Sequence, residues 1–334
     1  MKIALTIILS QFVTIICLGQ DLGVIENSDS RIFEIIEDRD TIQFIKINKD
    51  IESPKPVIIV LQGSLPIPLA IKYPEGISFT SFPYTLTEDL LSDYHLVVIS
   101  MPDIPVVVNN SDIDNRATYT KAPKSYNRKN HLETYYNRTN SVIQFIIKQP
   151  WFNGHDLVLF GHSQGSYVAI KVGDKNPHVT KVGVTGMSPN GRFQQYLRTI
   201  RYEEHRGEIT SVEAQEKIEE YYKRWKHISD NRFDDSQEKG DTFKATYSFS
   251  ESFIDDILQL RKPIFIAYGT KDIGTLGCDL LPIEFERIGK SDYTLRAYPG
   301  LGHNFEEIDS NGRSNYDLMH WDEVFEEFIQ WTKE

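Results

Sequence analysis

Cysteine is nearly missing from this sequence: two residues in 334, Cys17 and Cys278. A mature form lacking the N-terminus keeps only Cys278, so no internal disulfide is available and the fold must rest on its core. Basic charge is scarce as well. Thirty-six Lys and Arg stand against 48 Asp and Glu, a formal net charge of −12, and no basic stripe carries interleaved aromatics. Nucleic acid is therefore not expected as a partner, and strongly acidic substrates are disfavoured. Repeats and low-complexity tracts are absent, as are a dinucleotide fingerprint and any His/Cys cluster at metal-ligand spacing, so no metal or organic cofactor is expected. No apolar run reaches the roughly 20 residues that a membrane-spanning helix needs.

The N-terminus comes closest. Met1-Lys2 leads into an apolar segment, Ile3 to Leu18, broken by Thr6, Ser10 and Gln11 and ending at Gly19 before Gln20-Asp21. It is short and partly polar for an anchor or a buried first helix, and reads as a signal peptide over residues 1–19, cleaved after Gly19. Lipidation at Cys17 would call for small residues where Ile15 and Ile16 stand. The expected location is periplasmic or extracellular, in a bacterium, with no stable membrane insertion after cleavage; oligomeric state is left open.

What the chain does contain is a repeated arrangement of apolar run followed by chemistry. Leu157-Val158-Leu159-Phe160 runs into Gly161-His162-Ser163-Gln164-Gly165, a Gly-x-Ser-x-Gly, and Tyr167 to Val172 can then form a helix. Such a turn lifts the serine hydroxyl clear of a sheet, and its glycines remove side chains that would collide. Lys262 to Gly269 is a second apolar run with Asp272 just beyond it. Tyr293 to Tyr298 is a third, leading to Gly302-His303. A serine hydroxyl needs a base and the base an orienting acid, which gives Ser163 as nucleophile, His303 as base and Asp272 as acid. His162 and His320 compete for the base; His162 is expected to point away from Ser163, and His320 lies in Tyr316 to Trp321, read as the start of the last helix. Asp279 and Glu284 compete for the acid but stand further from a strand end.

In the Gly-x-Ser-x-Gly turn and the order Ser163, Asp272, His303, the chain resembles the α/β-hydrolase superfamily, in its serine-hydrolase branch with esterases and prolyl-oligopeptidase-like enzymes. The resemblance implies an α/β fold: a mostly parallel central sheet flanked by helices, with a helical lid inserted. It also implies an oxyanion hole built from the backbone N–H of Gln164 and one from the loop after Val57 to Leu61. That loop begins His-Gly in many relatives and Gln62-Gly63 here, leaving the second donor between Ser64 and Leu65, with Ser64 favoured.

The core is then expected over 20–186 and 262–334, with the lid over 187–261. Ile32 to Ile36 and Thr41 to Ile47 predict a hairpin at the edge of the sheet, and His95 to Ser100 and Val179 to Gly186 further strands. His131 to Gln149 and Val324 to Trp331 predict helices, while the segment to about Asn130 is a long connection. In the insert, Thr210 to Glu213 has capping-box form, and Val212, Ile218, Tyr222, Trp225 and Ile228 are read as one helical face, which either roofs the pocket or fastens the insert to the core. The insert is not apolar enough for an interfacial lipase.

The function implied is a secreted serine hydrolase cleaving a small-molecule carboxylic ester through an acyl-enzyme, EC 3.1.1. Alternatives are a serine exopeptidase of prolyl-oligopeptidase type acting on peptides, for whose propeller the chain has no room, and a thioesterase. A non-catalytic binding protein of the same fold is disfavoured by the intact set of three residues.

Overall fold

The computed structural model describes residues 18–37, 40–80 and 82–334. Of the signal-peptide segment, residues 1–17 lie outside the described residues. Strands β1 (Leu18–Val24), β2 (Ser30–Glu37) and β3 (Asp40–Ile47) form an antiparallel meander. The predicted hairpin is β2 and β3, but it is not the edge: β1 lies outside it. Gln20-Asp21-Leu22-Gly23-Val24 has no β-branched alternation to betray a strand, and it forms because the outer backbone of β2 supplies its hydrogen bonds.

The chain continues through β4 (Lys55–Leu61), the hairpin β5 (Ala70–Tyr73) and β6 (Gly76–Phe79), α1 (Glu88–Asp93) and β7 (His95–Ile99). The long connection that follows is not structureless. It contains β8 (Val107–Asn109), which pairs with β5, and α2 (Lys124–Lys129). Next come α3 (Leu132–Ile146), β9 (Phe152–His162), α4 (Gln164–Lys175) and β10 (Lys181–Thr185). The main sheet runs β1-β2-β3-β7-β4-β9-β10, and two later strands complete it.

Between β10 and the next sheet strand lie α5 (Arg192–His205), α6 (Ser211–Asp230), the short β11 (Gln237–Lys239) and β12 (Asp241–Thr242), α7 (Phe243–Ser248) and α8 (Ile254–Gln259). α6 opens on the capping box: Thr210 Oγ1 accepts from the Glu213 N–H at 3.2 Å, and Glu213 Oε2 accepts from the Thr210 N–H at 2.8 Å. Its buried stripe differs from the one read in the sequence. Val212 and Tyr222 are 68% and 58% exposed, whereas Ala214, Ile218 and Ile228 are buried and Tyr221 and Trp225 half-buried. α5 and α6 share a small core of their own, Ile200, Ala214 and Ile218. The later part does not project: Phe249, Phe253, Ile257 and Leu260 belong to the main core.

The chain closes with β13 (Ile264–Gly269), α9 (Leu281–Ile288), β14 (Tyr293–Tyr298), the hairpin β15 (Glu306–Ile308) and β16 (Ser314–Met319), and α10 (Trp321–Thr332). Tyr316 to Met319 are thus strand, and the last helix begins only after its N-cap, His320. β13 and β14 extend the sheet beyond β10, and every neighbouring pair from β7 to β14 is parallel.

Parallel strands are covered on both faces, so most of β4, β7 and β13, and Leu157 to Phe160 of β9, read as apolar runs. Alternate residues divide between two cores. Val57, Ile59, Leu157 and Leu159 face α3 and α4; Ile58, Val60, Val158 and Phe160 face α10. The C-terminal ends of β4, β9, β10, β13 and β14 consequently open on one edge. Among the described residues, no helix is long and apolar enough to cross a membrane.

Candidate active site

Ser163 stands where β9 turns into α4, with φ 53° and ψ −117°. A side chain at positive φ is strained, and the surrounding packing must impose it. It does. A Cβ on Gly161 would lie 2.4 Å from the Gly165 carbonyl oxygen, and one on Gly165 would lie 2.1 Å from that of Leu61. The turn is closed further by Ser166, whose Oγ donates to the Gly161 and Thr185 carbonyls at 2.9 and 2.8 Å.

The loops after β13 and β14 bring the other two residues to it. His303 Nε2 is 3.0 Å from Ser163 Oγ, and His303 Nδ1 is 2.6 Å from Asp272 Oδ2. Asp272 is buried and its second oxygen accepts from the Gly274 N–H at 2.9 Å. Burial alone would lower the pKa of His303, but the hydrogen bond and charge of Asp272, helped by Glu306, carry it above the ordinary histidine value.

The competing residues are occupied elsewhere. His320 lies between Glu307 and Glu323 at the start of α10, Asp279 accepts the Tyr268 hydroxyl, and Glu284 pairs with Arg287. His162 makes no hydrogen bond to Ser163 and lies instead beside His303. Its ring centroid is 5.0 Å from that of His303 and 4.8 Å from Trp321. Nδ1 meets Thr185 Oγ1 at 2.9 Å and Nε2 meets Asn304 Oδ1 at 3.2 Å, so this ring ties β10 to the His303 loop. Burial, then the neighbouring His303, push it down to about 3, so it is neutral. Gly186 makes room for both rings: a Cβ there would lie 2.8 Å from His162 and 3.2 Å from His303.

Gln164, the first residue of α4, and both Ser64 and Leu65 have backbone N–H groups with no acceptor among the described residues. The Ser64 loop is held by the Tyr126 hydroxyl on the Ser64 carbonyl and by Gln62 Nε2 on that of Ile99, each at 3.0 Å. The Gln164 side chain is buried between Asn130, 3.1 Å away, and Arg192, which also holds Asp241 at 2.9 Å. Sequence reading missed this network, because Asn130, Arg192 and Asp241 come from three separated loops and helix ends. Among the described residues no group of three or more His, Cys, Asp or Glu is placed to hold a metal ion.

No protein-family model matches the sequence, and no curated protein matches it. Solved structures do. An acylaminoacyl peptidase from Pyrococcus horikoshii superposes with TM-score 0.53 at 14% identity, over 91% of this chain and 42% of the peptidase. Acetyl xylan esterases from Paenibacillus sp. R4 and Thermoanaerobacterium sp. JW/SL YS485 both give TM-score 0.51, at 12% and 11% identity, over 94% and 95% of this chain and 88% and 89% of theirs. The chain has the α/β-hydrolase fold. At these identities the likeness is one of fold, and this chain spans less than half of the peptidase.

In this α/β-hydrolase fold the cleft over Ser163 has two lobes that meet at Ser64, Ser163, His303 and Asn304. One, of about 360 Å³, reaches over the ends of β4 and β9 and is lined by Leu61, Leu65, Ile67, Phe160, Met319 and Trp321. The other, of about 440 Å³, lies beneath α5 and is lined by Ser188, Arg192, Gln195, Tyr196, Asp272 and Tyr316.

Proposed function

We propose that this α/β-hydrolase-fold protein is an exported serine hydrolase that cleaves a carboxylic ester through an acyl-enzyme. The reading is carried by the unbroken hydrogen-bond relay from Asp272 through His303 to Ser163, at 2.6 and 3.0 Å. Export is read from the N-terminal sequence alone.

His303 Nε2 takes the Ser163 proton as Oγ attacks the ester carbonyl. The Asp272 carboxylate holds the ring by Nδ1–H and stabilises the imidazolium. The Gln164 and Ser64 N–H groups receive the tetrahedral oxyanion. His303 then protonates the leaving oxygen, takes a proton from water, and returns it to Ser163 as the acyl group departs.

The same relay could cleave an amide or a thioester, but one observation favours esters over an aminopeptidase-like role. Asp272 is the sole carboxylate lining either lobe among the described residues, and it is committed to His303, so a peptide's ammonium terminus would find no counter-charge.

The test is fluorophosphonate labelling of wild type and Ser163→Ala alongside turnover of p-nitrophenyl esters, acyl thioesters and aminoacyl-p-nitroanilides. Labelling of wild type alone with ester turnover supports the reading. Preferential anilide cleavage moves the protein to the peptidases, preferential thioester cleavage to the thioesterases, and inert wild type rejects a hydrolase.

A further inference from the structure

The unlike lobes of the cleft bear on what the ester joins, an inference that rests on the serine-hydrolase reading. The first lobe presents buried strand ends, Leu61 and Phe160, with Leu65, Ile67 and Trp321 around them, and no acidic or basic side chain other than the imidazoles of His162 and His303. Its polar members Gln62 and Thr80 are already committed to the Ile99 and Pro68 carbonyls, so the wall rewards burial of hydrocarbon more than it answers hydroxyls.

The second lobe offers the reverse. Ser188, Gln195 and Asn304 line it with hydrogen-bonding groups, and Tyr196 and Tyr316 stand at 37% and 61% exposure. Its one cation, Arg192, is already answered by Asp241 at 2.9 Å and by Gln164, so it has little attraction left for an anion. Neutral hydrogen-bonding side chains beside exposed aromatic faces suit a ligand with hydroxyl edges and C–H faces.

We propose that the substrate is an ester joining an apolar acyl group to a polyhydroxylated alcohol of glycerol or sugar type, with the acyl chain in the lobe over β4 and β9 and the alcohol beneath α5. The order of steps assigns the halves. In acylation the bond between the acyl carbon and the alcohol oxygen breaks, and that oxygen leaves with the proton held by His303. In deacylation a water must reach the same carbon beside His303, forming the new C–O bond as the bond from that carbon to Ser163 Oγ breaks, while the water proton passes through His303 to Oγ. A departing polar alcohol leaves a wettable path in the lobe beneath α5. The acyl chain, in the dry lobe, does not block it.

The experiment is a matrix of kcat/KM values for acetyl, hexanoyl and decanoyl esters of glucose and of 1-hexanol. Hexanoyl glucose should exceed both acetyl glucose and hexyl hexanoate by at least about tenfold. Gln195→Leu should lower the ratio of glucose to hexanol esters about tenfold, and Ile67→Phe should shift the acyl optimum to acetyl. Val212→Ser, on the outer face of α6, should leave both ratios unchanged. A preference for hexanol esters, or for acetyl over hexanoyl in the wild type, overturns this inference while fluorophosphonate labelling leaves the parent reading standing. Absence of both labelling and turnover overturns the two together.

Discussion

The histidine proposed as the base is here pressed upward by the carboxylate that holds it. Burial opposes protonation of His303, and Asp272, with Glu306 behind it, overcomes burial. Only the neutral imidazole can take the Ser163 proton, so kcat/KM should rise with pH through a pKa above the ordinary histidine value of about 6.5. Asp272→Asn should lower kcat about 10⁴-fold and move the acid limb to lower pH, read from the pH profile of fluorophosphonate inactivation. His162 belongs to the same scale. His162→Phe keeps a ring against Trp321 but loses the bridge from Thr185 to Asn304, so kcat should fall about tenfold to a hundredfold with KM little changed. An unchanged kcat would show that the bridge does not position His303. Ser163, Asp272 and His303 were legible because each follows an apolar strand that delivers it to one edge of a parallel sheet. The bridge that His162 makes was not, since its partners lie 23 and 142 residues away.

Among the elements, the α5–α6 pair has a core separate from the sheet, Ile200 with Ala214 and Ile218. Its local stability should be separable too. Thr210→Ala removes the capping box and should cost about 1 kcal/mol. Hydrogen exchange should then speed up in α5 and α6 while β9 and β10 keep their protection; uniform acceleration would mean that the pair unfolds only with the whole. The capping box was plain in the sequence because its signal is local. The buried stripe was misread because Ala214 carries little apolar weight, whereas Val212 and Tyr222 carry much and face water. β1, β8 and β16 were missed for a related reason: short strands of mixed composition form where a partner backbone waits, at β2, β5 and β15.

For the molecule as a whole, pH sets stability through buried imidazoles. Burial first, then nearby cationic groups, push His95 and His131 down to about 4, and burial with His303 pushes His162 to about 3. All three are neutral when folded and protonate near pH 6.5 when unfolded, so the unfolded chain binds more protons below that value and stability must fall as pH drops. The urea midpoint should therefore decline between about pH 6.5 and pH 4; a flat profile there would rule out this linkage. The parallel direction of the strands from β7 to β14, though not their order, was foreshadowed by apolar runs alternating with helices, which favour parallel strands covered on both faces. Sheet topology also separates the proposed reacting groups: Ser163 comes from the first two-thirds of the chain, Asp272 and His303 from the last third. The pieces meet along the β10–β13 ladder, from Val182↔Ile264 to Thr185↔Ala267, and where Phe160 packs on Phe328 at 4.5 Å. A chain divided in the exposed turn between Asp235 and Ser236 would therefore yield two fragments, each inert and each lacking what the other holds. Co-expressed, they should find one another by completing a sheet, and hydrolysis would report their reunion.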